Sequence, residues 1–286
     1  MNKLGAPARD AIFIVGMGRS GSSAIARVMA LCGGALPLQM LPPNHGNPTG
    51  YWEPQHALEI NDAFLLAHSS SWYDPGLALQ LNPPSAAVSR LVTDIAAFLP
   101  SGFGDGPIVL KEPRISGLLP YWTLGARECG FTVKVIHIFR NPGDVASSLA
   151  ARDGLPAADS WALWLKYNLL AERDTRHEPR IFIAYEDLMS DWESVTSRCI
   201  RRLRLEAAID DQTRDSVARF LSRDLQHHRA TTLEKTRAVD PVLLGRVQRV
   251  YELLLEARSD AIRSGELDAI FAGLAESWLT ENRPVF

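Results

Sequence analysis

The sequence predicts an α/β fold, in which a parallel sheet is flanked by helices and followed by a mainly helical C-terminal portion. Three observations predict it. Short apolar runs alternate with helical segments over residues 11–188, which is typical of a parallel sheet covered on both sides. A turn rich in glycine and serine joins the first apolar run to the first helical segment. From residue 190 onward the pattern is almost wholly helical.

The elements follow from these patterns in chain order. Short runs of apolar and β-branched residues predict strands at 11–16, 107–111, 133–139 and 180–184. Apolar residues at helical spacing predict helices at 22–33, 55–68, 84–99, 116–129, 142–152 and 156–176. A stretch rich in Pro, Asn and Gly is predicted to be irregular over 34–56. Later helices are predicted at 191–204, 209–223 and 240–258, with a terminal helix beyond them.

The composition is that of an ordinary globular protein. The chain has 286 residues, of which 46% are hydrophobic and 22% are charged, enough for one large domain. A net charge of −3 gives no support for nucleic-acid binding. No run approaches the ~20 apolar residues of a membrane span, and Met1–Asp10 lacks the pattern of a signal peptide. Cys32, Cys129 and Cys199 have no metal-ligand spacing and are predicted to be buried free thiols.

These features predict a cytoplasmic protein, because free thiols fit a reducing compartment. They also predict no nucleic-acid partner and no membrane partner. The sequence does not set the oligomeric state.

The glycine-rich turn, called here the first anion loop, spans Gly16–Ser23 and reads Gly-Met-Gly-Arg-Ser-Gly-Ser-Ser. A turn of this kind points backbone N–H groups and the positive end of a helix dipole at one place. A tetrahedral oxyanion, phosphate or sulfate, is its natural ligand. The order of strand, turn and helix makes the predicted sheet P-loop-like. The alternative is a glycine-rich turn without a ligand.

Two common nucleotide motifs match this loop only in part. A P-loop needs a lysine directly before its hydroxyl residue, to contact the phosphates of ATP. Here Ser22 and Ser23 stand at that place, and the nearest cation is Arg19. A dinucleotide fingerprint needs an acidic residue about 20 positions further on, and none lies between Asp10 and Glu53. Both differences count against an ATP- or NAD-dependent protein.

A second candidate anion site, called here the second anion segment, follows the third predicted strand. It spans Arg140–Leu149 and reads Arg-Asn-Pro-Gly-Asp-Val-Ala-Ser-Ser-Leu. Pro142 suits the first turn of a helix, and Asp144 complements the helix dipole. Arg140 at the strand end and Ser148 two helical turns later can converge on one anion. The alternative is an ion pair between Arg140 and Asp144.

Together with Tyr185-Glu186-Asp187-Leu188, which follows the fourth strand, these segments resemble the motifs of the PAPS-dependent sulfotransferases. PAPS is 3′-phosphoadenylyl sulfate. In that family one loop, Arg/Lys-Ser-Gly-Ser/Thr-Ser/Thr, binds the 5′-phosphosulfate. A segment Arg-Asn-Pro-x-Asp-x-x-x-Ser binds the 3′-phosphate. The likeness is greater to bacterial and carbohydrate-type members than to the cytosolic branch, because Arg19 replaces the usual lysine and no Arg-Lys-Gly loop is evident near the C-terminus.

The resemblance implies a site for PAPS and its product PAP that needs no metal. It implies contacts from Gly18, Arg19, Ser20, Gly21, Ser22 and Ser23 to the 5′-phosphosulfate, from Arg140 and Ser148 to the 3′-phosphate, and from Tyr185 to the adenine. The alternative role of Tyr185 is to cover the edge of the core. The chain is then predicted to be a single domain, 1–286, with a nucleotide-binding α/β core at 11–188 and a helical C-terminal portion at 190–286.

Sulfuryl transfer is an in-line displacement that spreads negative charge over peripheral oxygens, so it needs cations, a fixed acceptor and a base. Arg19 and Lys111 are the candidate catalytic cations. Lys111 ends a predicted strand, at the edge of the sheet where ligands bind. Lys111–Arg114 also resembles a lysine-acid-proline-arginine segment of related bacterial enzymes. An ion pair of Lys111 with Glu112 or another acid is the alternative.

Glu53 is the candidate catalytic base. A carboxylate beside Tyr51 and Trp52 is partly desolvated. The resemblance implies the same choice, since carbohydrate sulfotransferases often use a glutamate after the first helix. His45 and His56 are the alternative bases, because histidine is the commonest general base, although a histidine in a loop is often merely solvated.

Two further segments have open roles. Ser71-Trp72-Tyr73-Asp74-Pro75 either lines the acceptor pocket or forms a surface turn. His227-His228-Arg229 either reaches the nucleotide phosphate or complements the end of a helix. The loops at 34–56 and 69–84 are expected to select the acceptor.

The sequence therefore predicts a sulfotransferase that moves a sulfuryl group from PAPS to a hydroxyl of a small-molecule or carbohydrate acceptor. The alternatives are an ATP-dependent small-molecule or nucleotide kinase of P-loop fold and a non-catalytic nucleotide-binding protein. A dinucleotide oxidoreductase is the weakest alternative.

Overall fold

The computed structural model describes residues 9–43, 50–224, 240–259 and 262–280. In these ranges one parallel sheet has the strand order β2-β1-β3-β4, formed by β1 (Arg9–Val15), β2 (Ile108–Lys111), β3 (Phe131–Phe139) and β4 (Arg180–Ala184). The predicted α/β class is confirmed. The four predicted strands are all present, and β1 and β3 each begin two residues earlier than expected.

Helices connect and follow the strands. Before β4 they are α1 (Ser22–Leu31), α2 (Gln55–Ala67), α3 (Ala78–Leu81), α4 (Ser85–Phe98), α5 (Ile115–Glu128), α6 (Pro142–Asp153) and α7 (Ala157–Asp174). After β4 they are α8 (Tyr185–Ser190), α9 (Trp192–Leu203), α10 (Asp211–Asp224), α11 (Pro241–Ala257) and α12 (Ser264–Thr280). The short helices α3 and α8 were not predicted, since runs of 4 and 6 residues carry too little periodicity.

The central strand β1 is buried on both faces. Successive side chains of a strand point to opposite faces. Ala11 and Phe13 pack in a core with apolar residues of α2, α4 and α5. Ile12 and Ile14 pack on the other face with apolar residues of α1, α9 and α10. The sheet is thus covered by helices on both sides, as the sequence predicts.

The C-terminal helices share a core with the sheet. Trp161 and Trp164 of α7 are fully buried beside Phe139 of β3, together with Val250 of α11 and Leu274 of α12. Across the described ranges, none of the helices combines the length and the apolar composition that crossing a bilayer requires.

The carboxyl ends of the four parallel strands lie at one edge of the sheet. Gly16 follows β1 there, Glu112 follows β2, Arg140 follows β3 and Tyr185 follows β4. This is the edge at which open α/β sheets bind ligands. Since β1 is paired on both sides, the first anion loop lies centrally between the other strand ends.

Candidate active site

The first anion loop is anchored where it leaves β1. The N–H of Gly16 donates to Ser116 Oγ (3.0 Å), and the Ser116 hydroxyl donates to the Gly16 carbonyl (3.1 Å). Gly16 has φ 124°, and a Cβ there would overlap the carbonyl oxygen of Ile138. Only glycine fits this position, so the strand can turn sharply at its carboxyl end.

The other end of the loop begins α1. Gly21 has φ 87° and is the N-cap residue, and no side chain caps the helix there. The first-turn amides of a helix without a side-chain cap are suited to binding an anion. A Cβ at Gly21 would overlap the ring of Tyr185. The ring of Tyr185 therefore lies directly against the loop.

Arg19 joins the two anion motifs. Its Nε donates to Ser148 Oγ (2.8 Å), although the two residues are 129 positions apart in the chain. Burial, together with the like charges of Arg152 and Arg140, lowers the pKa of Arg19. The backbone of Arg19 is left-handed, with φ 68°, which a non-glycine residue adopts only at a cost. The site thus gathers positive charge and holds one arginine in a strained conformation.

Arg140 ends β3 as a buried cation, with 5% of its surface exposed. Its Nη2 donates to Asp144 Oδ2 (3.1 Å), so the ion pair considered from the sequence is present. Its guanidinium lies 4.6 Å from the centre of the Tyr185 ring. Its Nε is buried without a hydrogen-bond partner. A buried N–H without a partner is unfavourable and indicates a missing acceptor. The ion pair with Asp144 therefore satisfies only part of the hydrogen-bonding capacity of the Arg140 guanidinium.

Lys111 and Glu53 form a buried pair beside the first anion loop. Lys111 Nζ donates to Glu53 Oε1, to Ser23 Oγ (3.2 Å) and to the Tyr51 carbonyl (3.3 Å). Lys111 is 3% exposed and Glu53 is 5% exposed. Lys111 therefore forms an ion pair with an acid, which is the alternative role that the sequence leaves open for this lysine. That acid is the candidate base and not Glu112.

Trp52, the residue before Glu53, has a strained backbone that is held by packing of its ring. It adopts φ 56°, an uncommon conformation for an aromatic residue. The guanidinium of Arg27 lies 4.7 Å from the centre of its ring, and Phe220 of α10 meets it edge to face at 6.4 Å between ring centres. Contacts from α1 and α10 therefore hold the strained residue in place.

Glu112 occupies a second, fully buried carboxylate site behind Lys111. Oε1 accepts from Arg114 (2.5 Å) and Oε2 accepts from Asn61 (2.6 Å). Burial raises the pKa of Glu112 to about 7, and the negative charge of Glu53 acts in the same direction, while Arg114 and Asn61 oppose the shift.

The loop around the predicted Ser71–Pro75 segment is held by its backbone. Tyr167 of α7 donates to the Trp72 carbonyl (2.7 Å). Lys166 Nζ donates to the carbonyls of Asp74 (2.8 Å) and Gly76 (2.6 Å). Burial lowers the pKa of Lys166 to about 8.

This loop borders the arginine cluster. The guanidinium of Arg152, at the end of α6, lies 5.7 Å from the centre of the Trp72 ring. The like charge of Arg152 also helps to lower the pKa of Arg19, so the loop neighbours one member of the arginine cluster.

Of the histidines considered from the sequence, only His56 lies among the described residues. His56 has a side chain that is 57% exposed, bonded to Glu59 (3.1 Å) and packed against Phe98. The structure does not bring it together with Lys111. His45 and the segment His227–Arg229 lie outside the described residues.

Three residues that contact the candidate site are not predicted from the sequence. Arg152 could have been found, because it lies four residues after Ser148 and so on the same helix face. Ser116 and Asn61 carry no local signal, because their partners are distant in the chain. Within the part of the chain that is described, no cluster of three or more His, Cys, Asp or Glu side chains could hold a metal ion.

The fold and the site define an α/β protein with a cluster of arginines at the carboxyl edge of a parallel sheet, beside a buried glutamate–lysine pair. No protein-family model matches the chain, and comparison with curated proteins gives no significant match. The chain does resemble sulfotransferases of known structure.

One is sulfotransferase STF1 from Mycobacterium tuberculosis H37Rv, with 15% identity over 86% of this chain and 76% of that one and a TM-score of 0.44. Another is the sulfotransferase domain of the Synechococcus PCC 7002 olefin synthase, with 20% identity over 98% of each chain and a TM-score of 0.45. A third is the sulfotransferase domain from the curacin biosynthetic pathway, with 16% identity over 98% of this chain and 95% of that one and a TM-score of 0.45. At such identities and TM-scores these likenesses carry no argument about activity, so any proposal rests on the site itself.

Proposed function

We propose that this protein is a PAPS-dependent sulfotransferase that transfers a sulfuryl group to a hydroxyl of a small-molecule or carbohydrate acceptor. The observation that carries the proposal is the contact of Arg19 with Ser148, which joins the first anion loop to the second anion segment. PAPS bears anionic groups on both the 5′ and the 3′ side of one ribose. A protein that binds it therefore needs two adjacent anion sites.

Two orphaned polar atoms support a ligand of this kind. Ser20 Oγ is fully buried and has no hydrogen-bond partner, and Arg140 Nε is in the same situation. Phosphate oxygens would give both atoms the partners that buried polar groups require. The first-turn amides of α1, beside Ser22 and Ser23, would bind the 5′ side. Tyr185, between Gly21 and Arg140, would meet the base.

The donor supplies the sulfuryl group, and the residues of this chain place charges and a proton acceptor around it. The acceptor oxygen forms a bond to sulfur as the bond from sulfur to the phosphate oxygen breaks. Glu53 takes the proton of the acceptor hydroxyl on the carboxylate oxygen that does not face Lys111. Lys111 and Arg19 stabilise the charge that develops on the sulfuryl and phosphate oxygens.

The acceptor would enter past the Trp72 loop, which lies at the rim of the arginine cluster. Aromatic side chains held by a fixed backbone suit the recognition of a ring. A cytoplasmic location and the lack of nucleic-acid and membrane partners stay predictions.

Calorimetric titration of the purified protein with PAP tests the proposal, with ATP plus Mg²⁺ and with NAD as competing ligands. We expect micromolar binding of PAP that persists in EDTA. Arg140→Ala should weaken it by about 10-fold or more, since a charge-assisted hydrogen bond is lost. Arg127→Ala is the matched control, because this arginine is 54% exposed and bonded to Glu178. Binding of ATP or NAD without binding of PAP would contradict the proposal.

A further inference from the structure

A chain of buried polar groups links α5, α2 and the end of β2. The indole N–H of Trp122 donates to Asn61 Oδ1 (2.9 Å), and Asn61 Nδ2 donates to Glu112 Oε2 (2.6 Å). Glu112 Oε1 accepts from Arg114 (2.5 Å). Trp122, Asn61 and Glu112 are all fully buried, so solvent does not supply alternative partners.

The chemistry of these groups fixes the direction of every hydrogen bond in the chain. An indole N–H can only donate, so Asn61 must turn its carbonyl oxygen to Trp122. The NH₂ group of Asn61 then faces Glu112 and needs an acceptor. A guanidinium also can only donate. Both oxygens of residue 112 must therefore accept, which an ionised carboxylate does and an amide cannot.

This network holds α2 against the strand that ends in Lys111. Asn61 lies less than two turns into α2, and Glu53 lies two residues before that helix begins. Arg114 adds a second link, because its Nε donates to Asp62 Oδ1 (2.6 Å). Residue 112 is the direct neighbour of Lys111, the partner of Glu53. The position of Glu53 relative to Lys111 therefore depends on how α2 is docked.

Stability alone does not account for such a network. Burying a carboxylate is costly, as the raised pKa of Glu112 shows, and apolar side chains of the same volume often stabilise a core as well or better. Satisfied polar networks do impose one geometry, because each group must meet a complementary partner.

We propose that Asn61 is a positioning residue for the sulfuryl transfer: oriented by Trp122, it locks Glu112 and so docks α2 with Glu53 against Lys111. The inference rests on the proposed function, in which Glu53 is the base. Asn61 touches neither donor nor acceptor and acts only through Glu112 and the helix.

A polarity swap tests it. Glu112→Gln alone turns a donor toward the Asn61 amide, and Asn61→Asp alone places two carboxylates face to face. In the double variant, Asn61→Asp with Glu112→Gln, the carboxylate at position 61 accepts from Trp122 and from the new amide, which itself accepts from Arg114. Every donor in the network again meets an acceptor, with the hydrogen bond between positions 61 and 112 reversed, and the net charge is unchanged. Asn82→Asp with Glu128→Gln, at two exposed positions, is the matched control.

We expect each single variant to lower kcat by about 10- to 100-fold, as small misplacements of catalytic groups do, with PAP affinity changed by less than about threefold. The double variant should recover at least half of the loss in log kcat. Amide exchange over residues 51–59 should quicken in the single variants and return in the double variant. Single variants that lose thermal stability but keep kcat would overturn the proposal, and so would a double variant that recovers nothing.

The exchange measurement separates the two proposals. If the wild-type protein neither binds PAP nor transfers sulfate, the proposed function fails, while exchange over residues 51–59 still decides whether Asn61 positions that segment. If a single variant does not fold, the double variant decides alone: near wild-type exchange and kcat support the swap, and failure to fold overturns it.

Discussion

At the scale of single residues, the proposed reaction depends most on the buried Glu53–Lys111 pair. Both side chains are almost fully buried, so each depends on the other for its charge to be compensated. Ser23 bridges the pair to the first anion loop through its contact with Lys111. The pair therefore acts as one unit in stability, whereas its members have different roles in the proposed reaction.

Substitution of the pair separates these roles. Glu53→Gln should lower kcat by about 10²- to 10⁴-fold, the usual contribution of a general base, and should leave PAP affinity nearly unchanged. Lys111→Met should lower kcat as well and destabilise the fold by about 3 kcal/mol, because the Glu53 carboxylate loses its buried partner. Steady-state kinetics and urea unfolding measure the two effects.

The double variant Glu53→Gln with Lys111→Met is the control. It should regain most of the lost stability, since no uncompensated charge stays buried, while its activity stays low. Normal turnover in Glu53→Gln would reject Glu53 as the base and would redirect attention to His45.

The sequence identifies candidate residues for an anion site, because they follow strand ends in recognisable patterns. In the structure Arg19 contacts Ser148, and Tyr185 packs against Gly21 and Arg140, while binding of an anion by these residues stays a prediction. The sequence alone does not identify Glu53 as the partner of Lys111, and it gives no sign of a role for Asn61. Both depend on contacts between segments more than 50 residues apart, which no local pattern encodes.

At the scale of elements, the loop Ser70–Gly76 is attached to α7 by a buried lysine that binds the backbone of the loop. The ammonium of Lys166 donates to two carbonyls of the loop, and the carboxylate of Asp74 accepts from Ser70 and from the Gly76 N–H. These bonds fix the backbone on which Trp72 and Tyr73 stand. A loop held in this way needs no ligand to order it.

The buried lysine makes the stability of this attachment depend on pH. The folded state lowers the pKa of Lys166 from 10.5 to about 8, so between these values the folded protein binds fewer protons than the unfolded chain. The free energy of unfolding of the wild type should therefore rise, relative to Lys166→Met, as the pH increases through that window. The full difference is about 3 kcal/mol.

Urea unfolding of both proteins from about pH 7 to about pH 11 checks this. A difference that is flat across the window would mean that the ammonium is not buried as described. A variant at Lys134 is a suitable comparison for Lys166→Met. The ammonium of Lys134 forms an ion pair with Asp10, whereas that of Lys166 donates to two backbone carbonyls.

The stretch predicted to be irregular at 34–56 contains backbone pairings that the sequence does not predict. Its described parts pair with distant residues through single bridges, Ala35 with Ile108 and Pro37 with Phe103, and Met40 pairs with Pro54. Isolated bridges have no repeating pattern in the sequence. The strand order of the sheet was likewise beyond prediction, because pairing among β1, β2 and β3 joins segments that are far apart in the chain.

At the scale of the whole molecule, the C-terminal helices and the sheet are joined by packing and charge. α11 and α12 contribute apolar residues to the core that contains Phe139 and Phe182. Arg258, just after α11, donates to both carboxylate oxygens of Asp187 in α8. These contacts join the C-terminal helices to the sheet, while a single domain over 1–286 stays a prediction.

A single domain should unfold in one step. Near- and far-ultraviolet circular dichroism should give coincident urea transitions. Under the proposed function, saturating PAP should shift both by the same amount, since a ligand that binds only the folded state stabilises the whole cooperative unit. Two separated transitions, with PAP shifting only the first or only the second, would instead divide the chain into two domains near residue 190.

The contact between Arg19 and Ser148 also bears on how the protein is made. A ribosome releases the first anion loop early, but its hydroxyl partner follows 129 residues later, and Tyr185 later still. Under the proposed function, the nascent chain cannot complete its contacts with the donor nucleotide until Tyr185, about two-thirds of the way along the chain, has emerged. We therefore expect the early folding of β1 and α1 to proceed without that ligand.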